Sequence, residues 1–387
     1  MLSVGVTGQI LIHGPLDLSG RGQAEVRDFL KTDVAFGNLE ATVEAMGAWP
    51  TKTKTLHLAS PAALSSLRSL GFHAVTHANN HAFDLGPPGI LATRSAANAA
   101  GLRLAGSGAN IDEAAAPVVV GDPDRSLAVF SVDLGPQPDI NYASADRAGI
   151  APLRVRRSVT MPLADFAVLA RIVTALGDDA REAARASVGY RSGLCEGVEV
   201  FGTPVTAGDE IKAVWAADEG DMQRLIAGMA IAKSNGCCIA VAIHGHHWDA
   251  AWSQTPPWLL DLFRGLIDEG ADLILGTGAP VMQRIHFHRG RAIIPGLGNF
   301  VFHTRRAESY RQRGVDVWRS AAIRLELSAN GECQRLEILP IAVGRPADDG
   351  LARAPEPLEG AEAQEIANIA CREISPADYH RIKPLKA

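Results

Sequence analysis

Short β-branched runs alternate with Ala- and Leu-rich amphipathic stretches along most of the 387 residues, and that alternation predicts an α/β protein. Each crossover helix in such a chain must pack back on the sheet it left. The composition agrees: 47% of residues are hydrophobic and 21% are charged, the balance of a globular chain able to bury a sizeable core. Unusually polar residues stand just behind several of the runs. In α/β sheets ligands gather beyond the carboxyl ends of the strands, so these positions are where chemistry is expected.

Buried strands are expected over 4–7, 34–36, 74–76, 127–132, 239–243 and 273–275, with helices over 22–31, 61–70, 90–100, 221–235 and 257–269 between them. Ser60-Pro61 supplies an N-cap followed by proline at the first helical position, and Gly71 and Gly101 sit where C-caps belong. Residues 286–301 read as hairpin material around the turn Arg289-Gly290, and 315–327 and 334–343 as further antiparallel strands. The stretch 154–218 is expected to be an insertion, with a helix over 163–176 and an irregular Gly-rich run over 189–208. It serves either as a lid or specificity element or as surface elaboration. The main domain is expected over 1–345, and 346–387 as a Pro- and acid-rich tail with one helix.

The net charge of −6 gives no electrostatic reason to expect nucleic acid or an anionic membrane as partner, and no run of about 18 apolar residues exists to span a bilayer. Met1-Leu2-Ser3-Val4 has no basic n-region or cleavage site and reads as the start of a strand. Cys195, Cys237, Cys238, Cys333 and Cys371 are odd in number and form no C-x-x-C pair. Reduced thiols in a cytoplasmic protein are the expectation.

Four strand ends carry the candidate chemistry. They are Thr7-Gly8-Gln9, Gly37-Asn38-Leu39-Glu40, the run from His77 through Asn79-Asn80-His81 to Asp84 and Gly86, and His244-Gly245-His246-His247-Trp248. Carboxylate, amide and imidazole groups in one place suit either a divalent cation or acid/base work. A lone histidine at a strand end would more often be structural.

These motifs resemble the CapA-like, poly-γ-glutamate capsule synthesis branch of the metallophosphatase superfamily. Asn38-Leu39-Glu40 is similar to its N-L-E motif, Asn79-Asn80-His81 with Asp84 and Gly86 to N-N-H-x-x-D-x-G, and His244-Gly245-His246 to its H-x-H strand end. The run from Gly276 to Gln283 stands in the place of G-H-x-P-H-V, Pro295-Gly296-Leu297-Gly298-Asn299-Phe300 resembles S-L-G-N-F, and Pro152-Leu153-Arg154-Val155 resembles N-P-L-R-V. The resemblance runs in order from about residue 3 to residue 345. It implies a four-layer sandwich of two β-sheets flanked by helices, with a metal centre at one edge.

The departures are informative. Gln9 stands where the family places a metal-binding Asp, Thr277 and Pro280 where it places two histidines, and His247 where it has an acidic residue. Two divalent ions about 3.5–4 Å apart need several carboxylates and imidazoles to offset their repulsion. One carboxylate, Glu40, is left at the expected ligand positions. At most one divalent ion (Zn, Mn or Mg) is therefore expected, on Glu40, Asn80 and His244; a metal-free site run by His81, His246 and His247 is the alternative, and His81, His246 and Glu40 are the candidate catalytic residues. His13, His286 and His288 are candidate replacement ligands.

By the resemblance, Asn80 binds metal and His81 acts as general acid, oriented by Asp84; equally, the Asn-Asn pair could make only loop hydrogen bonds and Asp84 could cap a turn. Pro87-Pro88 should stiffen this loop. Gln9, Asn38, Asn79, His247 and Asn299 are the candidate substrate-binding residues. The resemblance implies a small-molecule or peptide substrate of amino-acid, peptide or amide type, acted on by hydrolysis or epimerisation. A catalytically silent binding protein and a metal-dependent phosphoesterase are the alternatives.

Overall fold

The computed structural model describes all residues except 54, 123, 191–195, 305–306, 346–351 and 384–387. The chain divides into two units, Met1–Leu153 with Gly220–Ala387, and Arg154–Glu219. The architecture is mixed α/β, and each of the six expected strand runs lies inside an observed strand.

Among its described residues the first unit holds an eight-stranded and a six-stranded sheet. In the larger, the order is Glu356–Pro357, Cys333–Ala342, Arg319–Leu327, Leu2–Leu11, Val34–Leu39, Ala74–Thr76, Arg103–Ala105, with Asn299–Phe302 pairing in parallel with the end of Leu2–Leu11. In the smaller it is His286–His288, Arg291–Ile294, Leu273–Thr277, Cys238–His244, Arg125–Asp133, Val118–Asp122. The four inner strands of the smaller sheet are parallel and both edges are antiparallel. Its first hairpin turns at Arg289-Gly290, both with positive φ, as a tight two-residue hairpin loop requires.

The two sheets share one apolar core. Val4, Val6 and Phe36 of the larger meet Val129, Ala240, Ala242 and Leu275 of the smaller in a single cluster. Helices Arg21–Leu30 and Pro61–Ser69 bury Val26, Leu30, Leu64 and Leu67 with Ile10, Leu39 and Val75, which project from the larger sheet on the side away from that cluster. Helix Pro257–Asp268 buries Leu260, Phe263, Leu266 and Ile267 and packs on the smaller sheet. Ser60 caps Pro61–Ser69 as its sequence predicts, with its Oγ accepting from Ala63 N at 3.3 Å.

Three expectations are corrected. Thr7-Gly8-Gln9 is not a loop behind the first strand but part of Leu2–Leu11, where the register with Val34–Leu39 shifts between Val6 and Gln9. The bulge moves the alternation by one residue, so Val4 and Val6 face the other sheet while Ile10 faces the helices. Second, Pro87 and Pro88 lie in the first turn of helix Gly86–Ala99, where proline's missing N–H costs nothing, and not in the preceding loop. Third, the residues behind Gly344 add the edge strand Glu356–Pro357 and two helices, Gly360–Ala370 and Pro376–Tyr379, to the first unit.

The second unit is a four-stranded sheet, ordered Val198–Val200, Thr203–Gly208, Val155–Pro162, Lys212–Ala217, with helices Leu163–Leu176 and Asp178–Ser187. Two of those strands occupy the run expected to be irregular; its residues 191–195 are outside the described set. Cys237, Cys238, Cys333 and Cys371 are free thiols, and burial pushes Cys333 up to about 12. Cys195 is outside the described residues. Among the described residues no helix is long and apolar enough to cross a membrane.

Gly8 is fixed by contact. A Cβ there would lie 1.9 Å from the carbonyl oxygen of Gly298. Gly8→Ala should therefore destabilise the chain by on the order of 3 kcal/mol, read as the shift in the urea unfolding free energy. A loss below about 1 kcal/mol would mean that the 297–298 turn slides aside without cost.

Candidate active site

The strand ends converge on a cleft of about 690 Å³ lined by Gln9, His13, Glu40, His57, Asn80, His81, His246, Trp248 and His303, among others. The bulge in Leu2–Leu11 delivers Gln9. The ends of Val34–Leu39, Ala74–Thr76 and Cys238–His244 deliver Glu40, Asn80-His81 and His246.

One group of residues centres on His244, which is 2% exposed. Its Nε2 lies 3.0 Å from Asn80 Oδ1; its Nδ1 lies 3.1 Å from Thr277 Oγ1 and 3.4 Å from Glu40 Oε1. Asn38 Nδ2 donates to the same Glu40 oxygen over 2.9 Å. Asn80 Oδ1 and His244 Nε2 are close enough to be neighbouring ligands of one ion, for which bonds of about 2.1 Å imply a separation of about 3 Å. Glu40, however, meets the opposite edge of the imidazole. The three expected ligands are gathered in one place without converging on one point. Gln9 Oε1 already accepts from Gly278 N at 2.6 Å. Among the described residues no group of three His, Cys, Asp or Glu is arranged to hold a metal. The donor set as it stands does not fit the metal centre that the resemblance implies.

A second group centres on Asp84. Asp84 is fully buried, and its Oδ2 accepts from His81 Nδ1 and from the main-chain N–H of His57, each over 2.9 Å. Lys52 pairs with Asp84 Oδ1 and also donates to the carbonyl of Asn80. Burial alone would raise the Asp84 pKa, but the hydrogen bond and charge of His81 and the Lys52 ammonium outweigh it and hold the carboxyl below the usual range. An ionised carboxylate on Nδ1 fixes the tautomer of His81 and leaves Nε2 as its basic nitrogen.

The His57 ring stands edge-on to His81, with centroids 4.3 Å apart, and its Nδ1 lies 3.0 Å from His13 Nε2. Burial, followed by the neighbouring His81 and His13, pushes His57 down to about 3. Burial and then His13 push His303 down to about 4. Both rings are neutral at pH 7.

Residues 3–304 match the family described as bacterial capsule synthesis protein PGA_cap. The chain belongs to that family. Two members of the curated set from Mycobacterium tuberculosis, each named a probable polyglutamine synthesis accessory protein, are 26% identical to it over 326 residues, 81% of this chain and 67% of theirs. An uncharacterized protein of Sinorhizobium fredii is 25% identical over 293 residues, 73% of this chain. The chain spans 61% of that relative's length.

Within this PGA_cap chain the expected substrate-binding amides are largely occupied. Asn79 Nδ2 donates to Leu39 O and Asn38 Oδ1, and its Oδ1 accepts from His81 N and Ala82 N. Gln9 Nε2 donates to Asn299 Oδ1 over 2.9 Å, and Asn299 Nδ2 donates to Val317 O over 3.2 Å. Asn38 is spent on Glu40 and Asn79. His247 packs against Trp258 and lines a separate small hollow with Leu134 and Phe263. Of the candidate replacement ligands, His13 borders the cleft, whereas His286 accepts from Arg284 Nε and His288 pairs with Asp268 on a distant hairpin.

Lys52, His57 and His303 are functional candidates that the motifs did not reveal. His303 follows Asn299–Phe302 directly, so the strand-end rule reaches it. His57, between Leu56 and Leu58, carries no local signal except its apolar flanks.

The buried imidazoles make stability depend on pH. His57, His77, His286 and His303 have folded pKa values of about 3, 4, 4 and 4, all below the ordinary 6.5. Unfolding below pH 6.5 lets each take up a proton, so their contribution is present above 6.5 and is lost as pH falls towards 4. Asp133, raised by burial to about 7, acts in the opposite sense as a single group. Urea midpoints should therefore drop between pH 7 and pH 5, with net proton uptake on unfolding at pH 5. A flat profile over that interval contradicts the neutral, buried imidazoles.

Proposed function

We propose that the chain is a histidine-based acid/base enzyme acting on an amino-acid-, peptide- or amide-like substrate, within the metallophosphatase-like four-layer arrangement that its motifs imply. The observation that carries the proposal is His81, held through Nδ1 by an ionised, buried Asp84 and lining the cleft. Its Nε2 takes a proton from a substrate α-carbon or from water. The imidazolium so formed is stabilised by the Asp84 carboxylate, which Lys52 keeps ionised. For epimerisation, His246 or Glu40 returns a proton from the other face. For hydrolysis, His81 passes its proton on to the leaving amine. The amide-type substrate is supported by the family and by the names of the Mycobacterium relatives, which concern synthesis of an amino-acid polymer.

An accessory binding protein of the same fold is the second reading, favoured by the internal satisfaction of Gln9, Asn38, Asn79 and Asn299. A two-metal phosphoesterase is disfavoured by the neutral residues Gln9, Thr277 and Pro280 at strand-end positions. Purified protein should carry at most one equivalent of Zn, Mn or Mg by elemental analysis.

The deciding experiment incubates the chain with short α-linked and γ-linked glutamate peptides in D₂O. Mass spectrometry then follows deuterium entering the α-carbon, and amine release follows cleavage. His81→Ala should lower whichever signal is found by about 10²–10⁴-fold. Absence of both signals would favour the binding protein. Two equivalents of metal, with phosphodiesterase activity that His81→Ala abolishes, would overturn the proposal.

A further inference from the structure

A buried N–H without an acceptor is uncommon, because the donor has given up water and gained nothing in return. His303 carries one. It follows the strand Asn299–Phe302, and its main-chain N–H donates to Leu11 O over 2.8 Å, which fixes it beside the end of the first strand. The main-chain N–H of His13 donates to His303 Nδ1 over 3.0 Å. That nitrogen is therefore the acceptor, and in the neutral ring the proton must sit on Nε2. The side chain is 4% exposed, Nε2 is closed to solvent, and it has no hydrogen-bond partner, although the residue borders the cleft. Trp248 Nε1 is a second buried N–H without a partner on a residue bordering the same cleft.

We infer that His303 is a ligand-binding residue whose fixed Nε2–H donates to an acyl oxygen of the bound substrate, an amide carbonyl or a carboxylate. The inference rests on the amide-like substrate class proposed above and adds the residue that would hold its oxygen. A neutral imidazole fixed as the Nε2–H form can share a proton there but cannot accept one, which suits it to a carbonyl and not to base catalysis. A desolvated donor set in place beforehand is worth most where negative charge develops, as it does on a carbonyl oxygen during attack or enolisation. The donor also belongs to the same row of imidazoles as His81. Ring centroids lie 5.7 Å apart for His13 and His303, 5.3 Å for His13 and His57, and 4.3 Å for His57 and His81. Oxygen binding and proton transfer would thus share one wall of the cleft.

The full chain labelled with ¹⁵N-histidine tests this, with His303 assigned by its loss in His303→Gln. Long-range correlations between ring protons and nitrogens should report the Nε2–H tautomer. Titration with N-acetyl-L-alaninamide, and separately with N-acetyl-L-alaninate, should shift the His303 Nε2 resonance in at least one arm. A shift in the first identifies a neutral carbonyl and in the second a carboxylate. His303→Phe should weaken the responding probe about tenfold, whereas His303→Gln, which keeps an N–H, should bind nearly as well as the parent. Trp248→Phe, which leaves His303 intact, guards against a His303→Phe chain that fails to fold, and should weaken the same probe. An Nδ1–H tautomer, an unmoved His303 resonance in both arms, or parental affinity in a folded His303→Phe overturns the inference. His81→Ala separates the two proposals: full turnover in that variant, with the His303 shift preserved, defeats the acid/base reading alone.

Discussion

Gln9 Nε2 donates to Asn299 in the larger sheet, and Gln9 Oε1 accepts from Gly278, which follows a strand of the smaller sheet. One uncharged side chain thereby joins both sheets at the floor of the cleft, and the placing of the other strand ends depends on it. Neutrality is essential to this role. Gln9 is 4% exposed and has no counter-ion to satisfy, and it presents a donor to one partner and an acceptor to the other. A carboxylate could accept from Gly278 but would set an oxygen against Asn299 Oδ1. Where the motif resemblance implies an acidic metal ligand, Gln9 serves as a structural clamp. Its position depends in turn on Gly8, since only a residue without a Cβ lets the bulge pass the carbonyl of Gly298.

The buried carboxylate of Asp84 organises the charges on one side of the cleft. Asp84 gathers an imidazole, a main-chain N–H and the Lys52 ammonium, while Lys52 also binds the carbonyl of Asn80. Lys52 thereby adds to the effect of His81 in holding the Asp84 carboxyl below its usual range, and ties the loop at Asn80 to the same carboxylate. Elsewhere in the row, burial keeps His57 and His303 neutral. Desolvation thus divides chemically identical side chains into one group suited to moving protons and others suited to hydrogen bonding.

Much of this was legible in the sequence, and the parts that were not have physical reasons. Short β-branched runs located the inner strands, and the strand-end rule pointed to Glu40, Asn80, His81 and His246, which border the cleft, and to His244, buried beside Asn80. The bulge at Gly8 was hidden because Thr7-Gly8-Gln9 has the composition of a loop; what makes it a strand is pairing with residues 34–39 and 299–302, far away in the chain. Lys52 and His57 were hidden because a connection between strands has no periodicity to read, and their partner Asp84 lies 32 and 27 positions further on. The internal partners of Asn38, Asn79 and Asn299 were hidden for another reason. An amide that faces a ligand and one spent on neighbouring main chain look the same in sequence, and only their partners tell them apart.

The second unit begins and ends at adjacent points. Val155 pairs with Ala217, and the N–H of Asp218 donates to the carbonyl of Arg154 over 2.7 Å. Its two ends are a hydrogen bond apart, so the surrounding chain needs only a short turn at that position whether or not the unit is present. The entropy of closing a loop grows slowly with its length, and here the unit's own antiparallel pair does the closing. A segment joined in this way is free to change in size and content without disturbing register in the sheets on either side of it in sequence.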